Sequence, residues 1–286
     1  IYMMAEPLVK YRYPNYKEFD EKRMAVEVDN IATETQTFLN SFYDILAERF
    51  FFIPKDKHRF EIKKEFISKA GFWVAKKRYA QWMVLKNGIP CDKLDVKGLD
   101  VVRSSFPKAF QEQMSGMLKD ILMGKDNDYV DKKLLEFKNN MVNLPVNKIA
   151  KGGAIKELSK YDKGTWTRDG GQSIANFEKG TPAHVKAGIT YNRLLKFFNC
   201  PFKNEPIRDG DKVKWVYLKN NPLGLDTLAF KDYNDPKEIM DFVEQYVDRD
   251  MIYKAELENK VDDFYKALKW EKASNNTKTA KKFFAF

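Results

Sequence analysis

The sequence is poor in the residues from which metal and thiol sites are built. Its 286 residues include two cysteines, Cys91 and Cys200, and two histidines, His58 and His184. These four side chains do not have the paired spacing of a structural zinc site, and such sparse cysteine usage is typical of a reducing compartment. No apolar run approaches the roughly 20 residues needed to cross a bilayer. The sequence therefore predicts a soluble, cytoplasmic protein without a structural metal.

The common catalytic signatures are missing as well. We find no Walker-type phosphate loop, no nucleophile-elbow glycine pattern and no His-Glu-x-x-His helix. Gly152-Gly153 is compatible with phosphate binding at a helix N-terminus, although flexibility is the commoner reason for two glycines in a loop. Asp92, Asp95 and Asp100 would be scattered over both faces of a strand rather than gathered around a metal. From its residues alone the chain is a binding module rather than a complete enzyme.

What the sequence does contain is positive charge and aromatic residues. It has 51 Lys and Arg against 41 Asp and Glu, a net charge of +10, together with 22 Phe and 14 Tyr. A hydrophobic fraction of 43% in a chain of this length supplies cores for about two domains. An excess of cations favours a polyanionic partner, most often nucleic acid.

One basic stretch interrupts an apolar, aromatic-rich run. In Gly71–Leu85, GFWVAKKRYAQWMVL, the polar residues Lys76, Lys77, Arg78 and Tyr79 stand in what the pattern predicts to be one strand. Side chains alternate across a strand, so Lys77 and Tyr79 are predicted on one face and Lys76 and Arg78 on the other. This arrangement fits a DNA-binding edge. It fits equally a solvated charge run that blocks unwanted strand pairing.

The flanking pattern predicts an α+β fold that begins with a small antiparallel sheet. Asn87-Gly88 predicts a tight hairpin turn, because both residues tolerate positive φ. Residues His58–Ser68 alternate as a second strand, and Leu94–Phe106 as a further one. Apolar residues at helical spacing predict one long helix from Asp20 to Phe51, packed on this sheet.

The rest of the chain is predicted to be mainly helical, after a boundary near Ser104. Pro107 opens a helix that stops at Gly124. Further helical patterns cover residues 128–142, 183–198 and 236–270. Lys212–Leu218 and Leu225–Phe230 predict a small β-hairpin among these helices.

Three stretches, in order, resemble a known family. GFWVAKKRYA, KGLDVVRSSFPKA and PAHVKAGITYN resemble motifs in the C-terminal part of family B DNA polymerases, most closely those of T-even-like phages. The similarity covers nearly the whole chain, including NNPLG and the aromatic end. It implies that residues 1–103 are the C-terminal half of the palm and residues 104–273 the thumb. Residues 274–286 would be a flexible tail with a sliding-clamp-binding end.

The resemblance also implies which residues contact primer-template DNA. Lys-Lys-Arg-Tyr matches the family's signature beside the primer 3′ end, and two other segments match the palm-to-thumb junction and a stretch that grips the duplex. The implied DNA-binding residues are Lys76, Lys77, Arg78, Tyr79, Lys97, Arg103, His184, Lys186, Tyr191, Asn192 and Arg193. Lys148, Lys151 and Lys160 lie in a segment that resembles the family's thumb loop only loosely.

At the other end of the chain, the resemblance implies that Phe283, Phe284 and Phe286 bind the sliding clamp. Lys281 and Lys282 depart from the clamp-peptide pattern, which has an apolar and an acidic residue there. A tail that docks on its own thumb is the alternative.

The family's metal centre is expected to be absent from this chain. In the family an Asp-Thr-Asp-Ser turn holds two divalent metals, and the residues after it resemble Ile1-Tyr2. No catalytic residue and no cofactor are therefore expected here, and Mg²⁺ only in the assembled polymerase, since two-metal phosphoryl transfer requires those carboxylates.

The expected function is a palm and thumb portion that grips the duplex. It would need a complementary chain carrying the fingers and the metal aspartates, and the host cytoplasm is the expected location. The alternative is a stand-alone, non-catalytic DNA-binding protein.

Overall fold

A computed structural model describes residues 2–162, 173–200 and 205–271. The chain divides into two compact units, Ile1–Lys97 and Gly98–Phe286, six residues before the predicted boundary at Ser104. Each unit contains a three-stranded antiparallel sheet together with helices, which confirms the predicted α+β class. No helix among the described residues is long and apolar enough to cross a membrane.

The first unit combines a long helix with a meander. Its elements are α1 (Glu6–Arg12), α2 (Glu21–Phe50), β1 (Phe66–Ala75), β2 (Arg78–Lys86) and β3 (Ile89–Lys97), with strand order β1-β2-β3. The long helix is confirmed, and the Asp20 side chain caps it by accepting a hydrogen bond from the Arg23 backbone N–H. The Asn87-Gly88 turn is confirmed too, with φ of 51° and 76°.

The single strand predicted over Gly71–Leu85 is wrong, because it is two strands. Ala75 pairs with Arg78 across the β1–β2 ladder, so Lys76 and Lys77 form the turn between them. Lys77 has φ of 64°, a conformation for which glycine or asparagine is the usual signal. The sequence carries no such signal at this turn.

The strand predicted from His58 starts only at Phe66. The preceding segment runs extended along α2 and hydrogen-bonds to its side chains instead of to a strand. The Asn40 side chain donates to the Ile62 carbonyl (3.1 Å) and accepts from its N–H (2.8 Å). The Gln36 side chain accepts from the Lys64 N–H (2.7 Å). These amides satisfy the backbone that a neighbouring strand would otherwise pair.

The second unit is mainly helical. Its helices are α3 (Lys108–Leu122), α4 (Asn127–Asn140), α5 (Val146–Ile149), α6 (Leu158–Tyr161), α7 (Ala183–Phe197), α8 (Lys237–Tyr246), α9 (Arg249–Tyr253) and α10 (Asn259–Leu268). A π-helical turn, Lys254–Glu258, joins the last two. The strands are β4 (Lys151–Ala154), β5 (Lys212–Tyr217) and β6 (Thr227–Phe230). The core includes Phe110, Tyr191, Phe230 and Phe264, each at most 1% exposed.

Two further local predictions need correction. The strand predicted over Leu94–Phe106 is β3, which begins at Ile89, ends at Lys97 and is followed by a 3₁₀ turn at Asp100–Val102. The predicted hairpin gains a third strand, β4, which pairs with β5 through Gly152 and Gly153. A Gly-Gly strand has no side-chain alternation, so its sequence is typical of a loop.

Candidate nucleic-acid interface

The turn between β1 and β2 presents two lysines at its tip. Lys76 and Lys77 are exposed, while Arg78 and Tyr79 are half-buried at the start of β2. Tyr79 is also the ladder partner of Lys97 on β3, a residue whose ammonium lies 3.5 Å from the Asp95 carboxylate. The first unit therefore carries a cationic hairpin tip, defined by Lys76 and Lys77.

An aromatic group lies beside this tip. The Tyr79 ring centroid is 5.3 Å from that of Tyr2 and 6.5 Å from that of Trp73. Burial and a hydrogen bond with Tyr79 raise the pKa of the Tyr2 hydroxyl above its usual range, so it stays protonated. A Cβ on Gly71 would lie 2.1 Å from the Trp73 ring. Gly71 therefore lets the half-exposed indole lie close over the strand.

The second unit contains a cleft of about 350 Å³ in which cations converge. We call it the cationic cleft and define it by six of its lining residues, Arg103, Lys151, His184, Trp215, Glu256 and Lys260. Arg103 forms an ion pair with Asp100 at 2.7 Å and remains largely exposed. Burial and the nearby Lys151 ammonium lower the pKa of the His184 imidazole, so His184 is neutral at pH 7. The positive charge of the cleft comes from its arginine and lysines.

A buried carboxylate orients the two lysines. Glu256 is 3% exposed, and its Oε1 and Oε2 lie 2.5 Å from Lys151 Nζ and 2.9 Å from Lys260 Nζ. The Lys151 ammonium also lies 5.0 Å from the Trp215 ring centroid, and the Lys260 ammonium 4.6 Å from that of Phe106. Ion pairs and cation–π contacts together limit the conformations of both lysines.

The two glycines of β4 are needed for close packing. The Gly152 N–H donates to the Ser105 carbonyl (2.9 Å), and a Cβ on Gly152 would lie 3.1 Å from Ser105 Cα. A Cβ on Gly153 would lie 3.2 Å from His184 Cβ. The pair therefore lets β4 pass between Ser105 and α7, which is a packing role rather than a phosphate loop.

Three implied DNA contacts on α7 point into the unit instead. Tyr191 is 1% exposed, and burial and then the Asp235 carboxylate raise the pKa of its hydroxyl above its usual range. The Asn192 side chain donates to the Ile207 carbonyl (2.8 Å) and accepts from its N–H (2.7 Å). Arg193 is 5% exposed. Their polar groups are used to hold the unit together.

Arg193 ties α7 to the segment before it. It donates to the carbonyls of Ile174 (2.9 Å) and Asn176 (2.6 Å), and pairs with the Asp162 carboxylate at 2.7 Å. In contrast, Lys186 lies nearer the surface, 3.7 Å from the Asp226 carboxylate. It lines a separate shallow depression with Thr181 and Met251.

Comparison with known proteins identifies the family. The model of DNA polymerase family B matches residues 48–268. The chain belongs to DNA polymerase family B.

Curated relatives in this family include two phage proteins. The DNA-directed DNA polymerase of Enterobacteria phage T4 is 28% identical over 187 residues, which cover 64% of this chain and 19% of the phage protein. That of Escherichia phage RB69 is 26% identical over 164 residues, which cover 56% of this chain and 16% of the phage protein. The chain thus spans about a fifth or less of these relatives. The matches confirm the T-even-type family B resemblance.

Of the residues that line the cationic cleft, the family motifs single out Arg103 and His184 as implied DNA contacts, but they do not predict the cleft. Lys151 lies in a segment that resembles the family's thumb loop only loosely, and the motifs do not include Glu256 or Lys260. The spacing of four residues between Glu256 and Lys260 is a detectable helical pair. Their proximity to Lys151, more than a hundred residues earlier, is a result of folding.

The predicted clamp-binding residues, Phe283, Phe284 and Phe286, lie outside the described residues. Within the described ranges, no group of three or more His, Cys, Asp or Glu side chains is placed to hold a metal ion.

Proposed function

We propose that this family B chain is the duplex-holding portion of a DNA polymerase, with palm character in the first unit and thumb character in the second. The observation that carries the proposal is the cationic cleft, where Arg103, Lys151 and Lys260 converge. The cationic hairpin tip supports it from the first unit. Both features are suited to a primer-template duplex, whose phosphates are spaced along two strands.

The proposal assigns different contacts to the two features. In the cleft, lysines already fixed by Glu256 lose little side-chain entropy when a phosphate approaches, which favours binding. At the hairpin tip, Lys76 and Lys77 neutralise phosphates while the neighbouring Tyr79 and Trp73 rings offer flat surfaces to sugars and bases. Such contacts hold DNA without reading its sequence.

Nucleotide addition is proposed to require a complementary chain that carries the fingers and the metal carboxylates. The described residues of this chain do not offer a ligand set that fits the family's divalent metals, so the proposal includes no metal-dependent step here. This chain would hold the duplex and the complementary chain would supply the chemistry. The phage origin of the relatives supports action in the cytoplasm of an infected host.

The hairpin tip gives a direct test of duplex binding. Lys76→Ala with Lys77→Ala is expected to weaken binding about 10-fold on any duplex sequence and to make the plot of log affinity against log salt shallower by about 2. Titrations of a labelled primer-template at several salt concentrations measure both. Lys63→Ala, which removes an exposed lysine of the same unit, is the matched control. An unchanged salt slope would assign the two lysines to a solvated strand end without a DNA contact.

For the tail we propose the clamp contact at Phe283, Phe284 and Phe286. Deletion of residues 283–286 is expected to abolish binding to the polymerase's sliding clamp and to leave duplex affinity unchanged. Surface plasmon resonance on immobilised clamp tests this. Retained clamp binding would refute the assignment and favour a tail that docks on its own chain.

A further inference from the structure

The first unit exposes far more apolar surface than the second. Fifteen large hydrophobic side chains of its described residues are exposed, against eight buried apolar ones. In the second unit the corresponding numbers are seven and forty. Scattered apolar side chains are normal on a protein surface, but a concentrated patch marks an interaction site. We therefore asked where on the first unit these side chains gather.

Three of them form a stripe on α2. Phe38, Phe42 and Ile45 follow one another at intervals of four and three residues, so they share one face of the helix. They are 68%, 48% and 47% exposed. We call these three residues the α2 ridge. Phe50, the last residue of α2, and the following Phe51 and Phe52 are exposed as well.

The other contacts of α2 leave this ridge open. The extended segment before β1 contacts a different face, where the side chains of Gln36 and Asn40 bind its backbone. Helix α1 is tied to the N-terminal half of α2, since the Tyr13 hydroxyl donates to Glu27 (2.7 Å) and Arg12 pairs with Glu34.

Ile31 belongs to the same face of α2, in the half of the helix where that face is buried. It lies on the ridge face seven residues before Phe38 and is 2% exposed. The stripe is therefore buried in one half of the helix, and its continuation among the described residues is uncovered.

We propose that the α2 ridge is the docking surface for the complementary polymerase chain. This inference rests on the proposed function. The regions that match this chain make up only 19% and 16% of the two phage polymerases. These relatives therefore contain extensive further protein that can cover such a face. Aromatic anchors in an apolar patch are the residues that contribute most at protein interfaces.

The test measures complex formation and duplex binding separately. The probe is a separately expressed chain that carries the fingers and metal aspartates of the family B polymerase from the same source. The triple variant Phe38→Ser, Phe42→Ser, Ile45→Ser is expected to weaken its binding at least 100-fold in analytical ultracentrifugation. Duplex affinity should stay within twofold. Val26→Ser, at an exposed position on another face of α2, is the matched control and should bind the probe as the unmodified chain does.

A second variant keeps the proposal testable if the triple variant does not fold. Phe42 is replaced by the photo-reactive p-benzoyl-phenylalanine, which preserves the aromatic bulk, and the same replacement at Val26 is its control. Crosslinking to the probe chain is expected from position 42 and not from position 26.

Three results would overturn the proposal. The first is a probe that binds the triple variant as tightly as the unmodified chain, and the second is a probe that does not bind the unmodified chain at all. The third is a dimer of the chain alone that the triple substitution dissociates, which would assign the ridge to a second copy. If the unmodified chain does not bind duplex, that result counts against the proposed function. The measurement of probe binding at the α2 ridge remains valid in that case.

Discussion

Arg193→Ala is expected to destabilise the second unit on the order of 3 kcal/mol, because it removes the donor to the buried Ile174 carbonyl, to the Asn176 carbonyl and to the Asp162 carboxylate. For a unit of this size the melting temperature should fall by roughly 6–12 °C. At a temperature where the variant is folded, its duplex affinity should remain within twofold, since the guanidinium is enclosed by Ile174, Asn176 and Asp162. Thermal unfolding followed by circular dichroism gives the first quantity and duplex titration the second.

Arg208→Ala is the matched control for this prediction. Arg208 is an exposed arginine in the same unit, and its replacement should change stability by less than about 0.5 kcal/mol. The opposite pattern for Arg193, unchanged stability with weakened duplex binding, would return this residue to the DNA contacts implied by the family motif.

Glu256→Ala is expected to leave Lys151 and Lys260 facing each other without a counter-charge. Both lysines are partly exposed, at 25% and 22% of their side chains, so the loss of stability should be nearer 2 than 5 kcal/mol. Asp241→Ala, which breaks the exposed pair with Lys237, is the matched control and should cost at most about 0.5 kcal/mol. Urea unfolding measures both variants.

Added anion distinguishes a phosphate-binding cleft from a purely structural ion pair. The unmodified chain should be stabilised by about 1 kcal/mol by inorganic phosphate present at several times its dissociation constant, because the lysines that Glu256 orients can bind it. Sodium chloride at equal ionic strength controls for screening. Stabilisation of the unmodified chain by phosphate that is no greater than by sodium chloride would contradict the interpretation of the cleft as a phosphate site.

The sequence predicted the elements whose side chains carry their own periodicity. Helix α2, helix α7 and the Asn87-Gly88 turn all follow from local spacing or turn chemistry. The Lys76-Lys77 turn and the Gly152-Gly153 strand do not, because tertiary pairing rather than residue preference fixes their conformation.

The candidate site shows the same limit at the level of side chains. The family motif includes Lys186, Tyr191 and Arg193 alike, and only the structure separates a residue near the surface from two buried ones. It also brings Lys151, Glu256 and Lys260 together from positions far apart in the chain. Motif matching identifies a candidate segment, whereas burial decides which of its side chains are accessible to a ligand.

Primer extension tests the central claim most directly. A labelled primer-template is incubated with Mg²⁺ and nucleotides, first with this chain alone and then with the complementary chain, which is also assayed by itself. The account predicts extension in the mixture and in neither chain separately. Extension by this chain alone would contradict the proposed division of labour, and so would a mixture that binds duplex but adds no nucleotide.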